Sequence, residues 1–540
     1  MTFYFAWMNF FTHSMLWPAA LGLAMHLFKV QNGWTVDNHP YLPLYALLTV
    51  LWGMAFVKGW KRRSNDLACQ WGTLPAFHEG GSGGSSSLSE ALTRPEFRGE
   101  LRVSDVTGKP ERYFPDYARN GYYLLSVVVT GSFLALAFAV MVCSLNLQGY
   151  ITDCDLWTEK AFHIPLLAKY AEPGGLFNAD EQPLWCNVPV VLHVVVILNL
   201  NSLYQSIAHW LTDLENPRTQ QEYADSVVLK RFGFESFDCY IALFYLAFVQ
   251  MDVVRLRVEL VSLYVTDSAR RAFLETIIPA LLTVALGPKD DSEEKAKKEK
   301  QEGEGESAAA GGKSQAAGGL PLMVTTSLGT KARADFSLPE YEQFDDYLEM
   351  VIEFGYITMF AGSFPLAPLL SYACNLIELK SDCYKITRVV RRPQPERAGS
   401  IGQWGHILQG QAYLAVVTNL VLFAMASNQM KIWVPSLFLS DPKKLALTGG
   451  GIEAALPGSG RYVIGLMVLL EHAIFLGFLA VNGLVSDTTP AVNTEVRRLA
   501  FVKDQAAREL RRQASSKAFD APPAAAAAAA KPARKMSSTL

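Results

Sequence analysis

The sequence is short of charge and nearly bare of motifs that mark a catalyst. Only 18% of its 540 residues are Asp, Glu, Lys or Arg, and the formal net charge is −3, so nothing in the balance calls for nucleic acid as a partner. Its seven cysteines fall into no CxxC or Cys/His zinc spacing, which argues against a structural metal knot. No phosphate-binding GxxxxGKS or GxxxxGKT loop is present to power uphill transport. No HExxH pair and no recognisable Ser/His/Asp arrangement is present either, so the chain reads as no enzyme. A cleavable signal peptide is also missing: the first apolar block, Phe3 to Phe28, lacks a basic leader and is too long for a signal core. It reads instead as a first membrane helix.

What is present is segregated hydrophobicity. Half of the residues are hydrophobic, and they collect in blocks of about 20, the length that crosses a bilayer as a helix. The blocks predict an all-α integral membrane protein with about ten spans, near 3–28, 41–60, 122–145, 186–207, 237–256, 258–286, 347–366, 367–386, 406–427 and 461–484. Spans 5 and 6, and spans 7 and 8, are nearly continuous and imply tight hairpins; eight or nine spans also satisfy the hydropathy. Basic residues beside the spans set the orientation. Lys61, Arg62 and Arg63, Lys230 and Arg231, Arg388, Arg391, Arg392 and Arg397, and Arg497, Arg498 and Lys503 all fall on one side if ten spans alternate. That side is the cytosol.

The expected organisation follows. Residues 1–60 hold spans 1 and 2, and 61–121 form a cytosolic loop with a flexible Gly/Ser insert from His78 to Glu90. Residues 122–287 hold spans 3 to 6, and 288–343 form a largely disordered cytosolic loop. Residues 344–490 hold spans 7 to 10, and 491–540 carry a basic segment and a low-complexity tail. Thr494 to Arg512 has the character of a basic helix lying beside the membrane.

Acidic groups inside spans are expensive, so their placement is informative. Asp346 and Glu349 at the start of span 7 are three apart, and Glu378 and Asp382 near the end of span 8 are four apart, so each pair shares a helix face. Both pairs sit towards the cytosolic end, while Glu275 lies deeper, inside the apolar run FLETIIPALL of span 6. Such a cluster suits a hard cation, because calcium takes six to eight oxygen ligands and carboxylates supply both the oxygens and the compensating charge. Without cations the like charges would repel and splay the helices. The plainer reading of the two pairs is acids at water-exposed helix ends, where Asp at a helix N-terminus is common.

At these residues the sequence resembles the anoctamin, or transmembrane-sixteen, family of channels and scramblases. The strongest stretch is FDDYLEMVIEFGYITMFAGSFPLAPLLSYACNLIELKSDCYKITRVVRRP at 344–393, continued by IGQWGHILQGQAYLAVVTNLVLFAMAS at 401–427. Further stretches are LTDLENPRTQQEYADSVVLKRFGFESF at 211–237, WKRRSNDLACQWGT at 60–73 and RPEFRGE at 94–100. The resemblance implies an anoctamin-type homodimer, each subunit with its own calcium site and a groove formed by helices 3 to 7 that conducts anions such as chloride or lets lipid headgroups cross. It implies Ca2+ as cofactor, held by Glu275, Asp346, Glu349, Glu378 and Asp382, with membrane lipids and small ions as partners.

Departures from the family pattern matter. Arg271 stands where the family has a neutral Asn, one turn before Glu275, where a guanidinium would repel calcium or partly substitute for it. Glu353 replaces a family Gln and adds a carboxylate to the face of Glu349. A second family calcium site pairs acids on helices 2 and 10; here the helix 2 position is Lys58, although Asp487 remains past span 10. The family also has a cytosolic domain before helix 1, whereas this chain starts at helix 1, which fits either an incomplete sequence or a reduced member.

Other polar residues carry two readings each. His193, Asn199, Asn201 and Ser202 on span 4, with Asp238 and Tyr240 on span 5, line a hydrophilic groove or simply hydrogen-bond between helices. Cys154 and Cys186, both on the non-cytosolic side, form a disulfide in an oxidising compartment or stand as two unrelated thiols. Glu471 and His472 pair within or across a dimer, or relay protons or ions. Arg270 and Arg271 are free to snorkel towards the non-cytosolic surface. The expected function is calcium-regulated passive transport, either phospholipid scrambling, anion conduction or both. The alternative is a non-transporting membrane tether or adaptor with a degenerate calcium site. The spans leave the organelle open between plasma membrane and endomembrane.

Overall fold

The computed structural model describes residues 1–74, 93–103, 108, 110–151, 162–178, 185, 188–271, 278, 336, 338–393, 398–438, 456 and 459–519. Span 1 is two helices, α1 (Thr2–Ser14) and α2 (Leu16–Asn32), divided at Met15, with Pro18 tolerated in the first turn of α2 where its missing N–H costs nothing. Gly33 ends α2 in the left-handed conformation, φ 67°, and its N–H and that of Trp34 satisfy carbonyls of the last turn. Helix α3 (Leu42–Gln70) follows, then a short antiparallel pair, β1 (Glu100–Val103) and β2 (Pro110–Tyr113).

Helices α4 (Asp116–Leu147), α5 (Val188–Glu215) and α6 (Gln220–Phe244) form the next group. Thr219 caps α6 by accepting from the Glu222 N–H at 3.2 Å, while the Glu222 carboxylate reaches back to the Arg218 N–H at 2.9 Å. A π-turn, Tyr245–Val249, carries α6 into a sharp reversal in which Met251 has a φ of 53°. Asp252 then caps α7 (Val253–Arg271), accepting from the Val254 and Arg255 N–H groups at 3.0 Å each. This reversal and the Phe360–Leu366 turn between α8 (Gln343–Met359) and α9 (Ala367–Tyr384) are the tight connections that the near-continuous apolar blocks predict. Helices α10 (Trp404–Val421), α11 (Gly460–Leu484) and α12 (Pro490–Phe519) complete the described chain.

Among the described residues, six helices are long and apolar enough to cross a membrane: α3, α4, α5, α6 with its π-turn, α10 with its own, and α11. With the shorter α1–α2 pair, α7, α8 and α9 they are consistent with the expected spans, and the chain is a multi-pass membrane protein. The helices differ in what they bury. Helix α8 is enclosed on nearly every side, from Met350 to Met359 without a break, and is apolar almost all round. By contrast, α4, α5 and α11 turn Leu136, Val191, Leu192, Leu469 and Leu476 outward, as lipid-facing helices do. The core around α8 is aromatic: Trp7, Phe11, Phe56 and Phe354 pack together, and Tyr347 stacks on Trp404 at 5.4 Å.

Two sequence stretches noted separately meet in space. Asn216 (φ 53°) exchanges hydrogen bonds with the Arg98 backbone, and the Arg94 guanidinium lies 3.9 Å over the Tyr223 ring. The segment before β1 is thereby fixed to the α5–α6 turn.

The packing of α8 depends on a glycine. A Cβ at Gly355 would overlap the Tyr240 hydroxyl and lie 2.7 Å from its ring carbon. Gly355→Ala is therefore expected to destabilise the protein by about 2 kcal/mol through overpacking, read as a lower unfolding midpoint in mixed micelles. Adding Tyr240→Phe, which removes the clashing oxygen, should recover part of that loss.

Candidate functional site

The carboxylates of α8 and α9 converge at the end of the bundle where α1 begins. Asp346 and Asp382 are buried, with side chains only 3% exposed for Asp346 and the whole of Asp382 only 1% exposed. Glu378 is buried a turn away on the face of Asp382. Each charge meets a partner. The Lys385 ammonium lies 2.7 Å from Asp346 Oδ1, and the Tyr341 hydroxyl donates to Asp346 Oδ2 at 2.6 Å. The Tyr4 hydroxyl donates to Asp382 Oδ2 at 2.6 Å and lies within electrostatic reach of Asp346 and Glu378 as well. Burial, with Asp346 and then Asp382 beside it, pushes the Tyr341 hydroxyl well above its usual range, so it remains a donor.

Local structure delivers Lys385 to this place. Helix α9 loosens into a π-turn, Lys385–Val389, immediately after Tyr384. Lys385 stands three residues past Asp382, and its side chain crosses to α8, so one residue ties the two helices that carry the acids.

Glu349 faces another neighbour. Its Oε1 accepts from the Arg270 guanidinium at 2.7 Å, which joins α7 to α8. Arg270 thus turns to the half-buried Glu349 carboxylate and not to the non-cytosolic surface. Glu353 is buried one turn further along α8. Glu275 and the side chain of Arg271 lie outside the described residues. Among the described residues, no three carboxylate, imidazole or thiol side chains stand close enough together to hold a metal ion. The donor chemistry fits a hard cation: buried carboxylate oxygens from two helices, gathered at one end. In this arrangement those oxygens are engaged by an ammonium, a guanidinium and two phenols.

The residues expected to line a groove separate. His193 Nε2 on α5 lies 3.9 Å from Asp238 Oδ1 on α6, facing it but beyond hydrogen-bond distance. Asn201 is half-buried about two turns further along α5, while Asn199 and Ser202 are exposed and Asn199 bonds back to the Val195 carbonyl of its own helix at 2.7 Å. Tyr240 takes the interhelical hydrogen-bonding reading. It is buried in the core, donating to the Ile352 carbonyl and accepting from Gln411 Nε2, both at 3.0 Å, because Gly355 leaves room for its ring against α8. It faces no groove. Cys154 and Cys186 lie outside the described residues.

At the α3–α11 junction, Lys58 and Lys61 both pair with Asp487, Lys61 at 2.8 Å, and hold its carboxyl below the usual carboxylate range. Lys58 thus places an ammonium directly on the acid.

Sequence reading missed Tyr4, Tyr341 and Lys385 at this site. Lys385 continues the helical spacing of Glu378 and Asp382, which is a usable signal. Nothing local announces Tyr4, 378 residues away from its partner.

The fold and this cluster define a multi-pass helical membrane protein with paired, buried carboxylates on adjacent helices. Residues 1–499 match the family model described as "Anoctamin: Calcium-activated chloride channel". The chain belongs to the anoctamin family. It is 26% identical to Anoctamin-10 of Homo sapiens over 92% of this chain and 64% of that protein. It is 31% identical to Anoctamin-10 of Danio rerio over 84% of this chain and 61% of that protein. Anoctamin-5 of Homo sapiens is 27% identical over 71% of this chain and 40% of that protein. The chain thus spans less than two thirds of the length of these relatives.

Removing the partner of a buried charge costs more than the pair itself contributes. Lys385→Met is expected to destabilise the protein by about 3 kcal/mol by leaving Asp346 uncompensated, measured by unfolding in mixed micelles. Combining it with Asp346→Asn should restore most of the loss. Equal effects of the single and double variants would show that the ion pair does not link α8 and α9.

Proposed function

We propose that this protein mediates calcium-regulated passive transport, phospholipid scrambling and/or anion conduction, through a groove bounded by the helices of spans 3 to 7 in a homodimer. The observation that carries this reading is the gathering of Asp346, Glu378 and Asp382 around Tyr4 and Lys385, with α7 attached to the same helix pair through Arg270 and Glu349. Family membership supports it, since the family's description is that of a calcium-activated chloride channel.

Asp346, Glu349, Glu378 and Asp382, with Glu275, would hold the ion. Calcium, when bound, supplies two positive charges to oxygens that single ammonium or guanidinium groups otherwise neutralise. Lys385 and Arg270 would then leave their carboxylates, and α7 would change its packing against α8. His193 and Asp238, facing each other between α5 and α6, would offer polar contacts to passing headgroups or anions. A closed, non-transporting tether is the second reading. The tethered cations favour it, because carboxylates already neutralised have less need of calcium.

Paired lipid-flip and ion-flux measurements in proteoliposomes test the choice. The wild-type chain should show calcium-dependent flux of lipid, anion or both, and Asp346→Asn with Glu378→Gln should reduce it by roughly tenfold or more, the equivalent of about 1.4 kcal/mol of lost coupling. Unchanged calcium-dependent flux in that variant would sink the assignment of these carboxylates. Absence of flux at any calcium level in the wild type would favour the tether.

A further inference from the structure

At the opposite end of the bundle, a cavity of about 230 Å³ lies between the C-terminal end of α2, the loop before α3, the start of α7 and the α8–α9 turn. Its wall is of two kinds. Met25, Leu42 and Phe364 are apolar, while Lys29, His39 and Arg257 bring polar groups to the same space.

The charges do not cancel. Arg257 is committed on one side, bonding Asp37 Oδ1 at 2.6 Å and the Ser363 carbonyl at 2.8 Å. Lys29 is half-buried, and no carboxylate among the described residues pairs with it. One Asp therefore faces two fixed cations, and the cavity carries net positive charge.

His39 adds a directed donor. It is only 2% exposed, and its Nδ1 accepts the Tyr41 N–H at 3.2 Å. That leaves the ring proton on Nε2, and Nε2 is buried without a hydrogen-bond partner. Burial lowers the pKa of His39, against a smaller raising effect from the Met25 carbonyl, so the ring is the neutral tautomer. The Met25 carbonyl stands near the ring without forming a hydrogen bond to Nε2, so an acceptor entering the cavity would gain a directed donor.

We propose that this cavity binds the phosphate oxyanion of an anionic lipid headgroup, with Lys29 and Arg257 supplying charge and His39 Nε2–H the directed hydrogen bond. The lipid source follows from the surroundings. A free phosphate would be stripped of water against Met25, Leu42 and Phe364 with nothing gained there. An amphiphile gains from both kinds of wall, and the outer face of α2 continues the apolar surface with exposed Leu23, Leu27 and Phe28. The cavity is too small for a whole lipid but accommodates a headgroup with its chains along α2. A choline group would meet Lys29 and Arg257 as a like charge, so a net anionic headgroup is selected. The site shares no residue with the carboxylate cluster, and it stands whether or not the proposed transport does.

The test is calorimetric titration of the full chain in micelles with dioctanoyl phosphatidylglycerol, dioctanoyl phosphatidylcholine and inorganic phosphate. Phosphatidylglycerol should bind about tenfold more tightly than phosphatidylcholine, inorganic phosphate should not compete, and Lys29→Gln should weaken phosphatidylglycerol binding about tenfold while Lys29→Arg retains it. An unchanged unfolding midpoint of Lys29→Gln in phosphatidylcholine confirms that its loss is local. Equal binding of the two lipids to the wild-type chain would overturn the proposal, with no variant needed. So would unaltered phosphatidylglycerol binding by Lys29→Gln. Full competition by inorganic phosphate would overturn the lipid assignment in favour of a free oxyanion.

Discussion

Placing a carboxylate among aromatic rings inside a membrane protein costs several kcal/mol even after local relaxation. Helices α8 and α9 bury Asp346, Glu353, Glu378 and Asp382 within a few turns of one another, so much of the local structure answers that cost. Tyr4 brings the beginning of the chain to Asp382, and Lys385 crosses from α9 to Asp346. Arg270 attaches α7 through Glu349. Without the acids, these links between α1, α7, α8 and α9 at this end would be lost.

The same chemistry recurs away from the site, at the ends of the neighbouring helices. Glu215, buried at the end of α5, accepts from Ser126 of α4 at 2.5 Å and from Ser226 and Lys230 of α6 at 2.8 and 2.7 Å. Arg231 is buried over the Phe344 ring at 3.7 Å and pairs with Glu235, Glu342 and Asp345, joining α6 to the start of α8. Gln205 of α5 also reaches Glu342, at 3.0 Å. These ends are therefore fastened by directional, charge-assisted bonds. The outward faces of α4 and α5 carry apolar side chains without such bonds, so relative movement of these helices is cheapest along their lipid-facing lengths and dearest at the fastened ends.

The membrane class and most spans were legible in the sequence because a bilayer imposes length and polarity together. Spacing bears less on the carboxylates: Glu378 and Asp382, four apart, are both buried, whereas Glu349, three from Asp346, turns to Arg270. What spacing cannot tell is which neighbour a face meets. Tyr240 illustrates the limit, since a polar residue in a span is compatible with a groove or a core, and Gly355, more than a hundred residues on, decides for the core. Arg270 illustrates it again: a long basic side chain can reach in several directions, and the position of Glu349 selects one. Lys385 continues the spacing of Glu378 and Asp382, but that its ammonium crosses to Asp346 on α8 is a tertiary contact that spacing does not record.

The tethered cations also bear on how sensitive a calcium response at this cluster would be. A ligand shifts a two-state equilibrium only by its differential affinity for the two states. Lys385 and Arg270 are covalently present, so they compete at a high effective concentration and at no cost in association entropy. They are single charges, however: at an effective dielectric of about 20 the buried Lys385–Asp346 pair has roughly 4 kcal/mol of Coulomb attraction, the solvent-screened Arg270–Glu349 pair has less, and a divalent ion at the same distance has about twice as much. The divalent ion must also lose more hydration, which narrows the difference. The balance makes the tethered groups a threshold: with Lys385 and Arg270 in place, the acids would respond only to calcium high enough to displace both, and the threshold would rise with every further basic group brought to the same face.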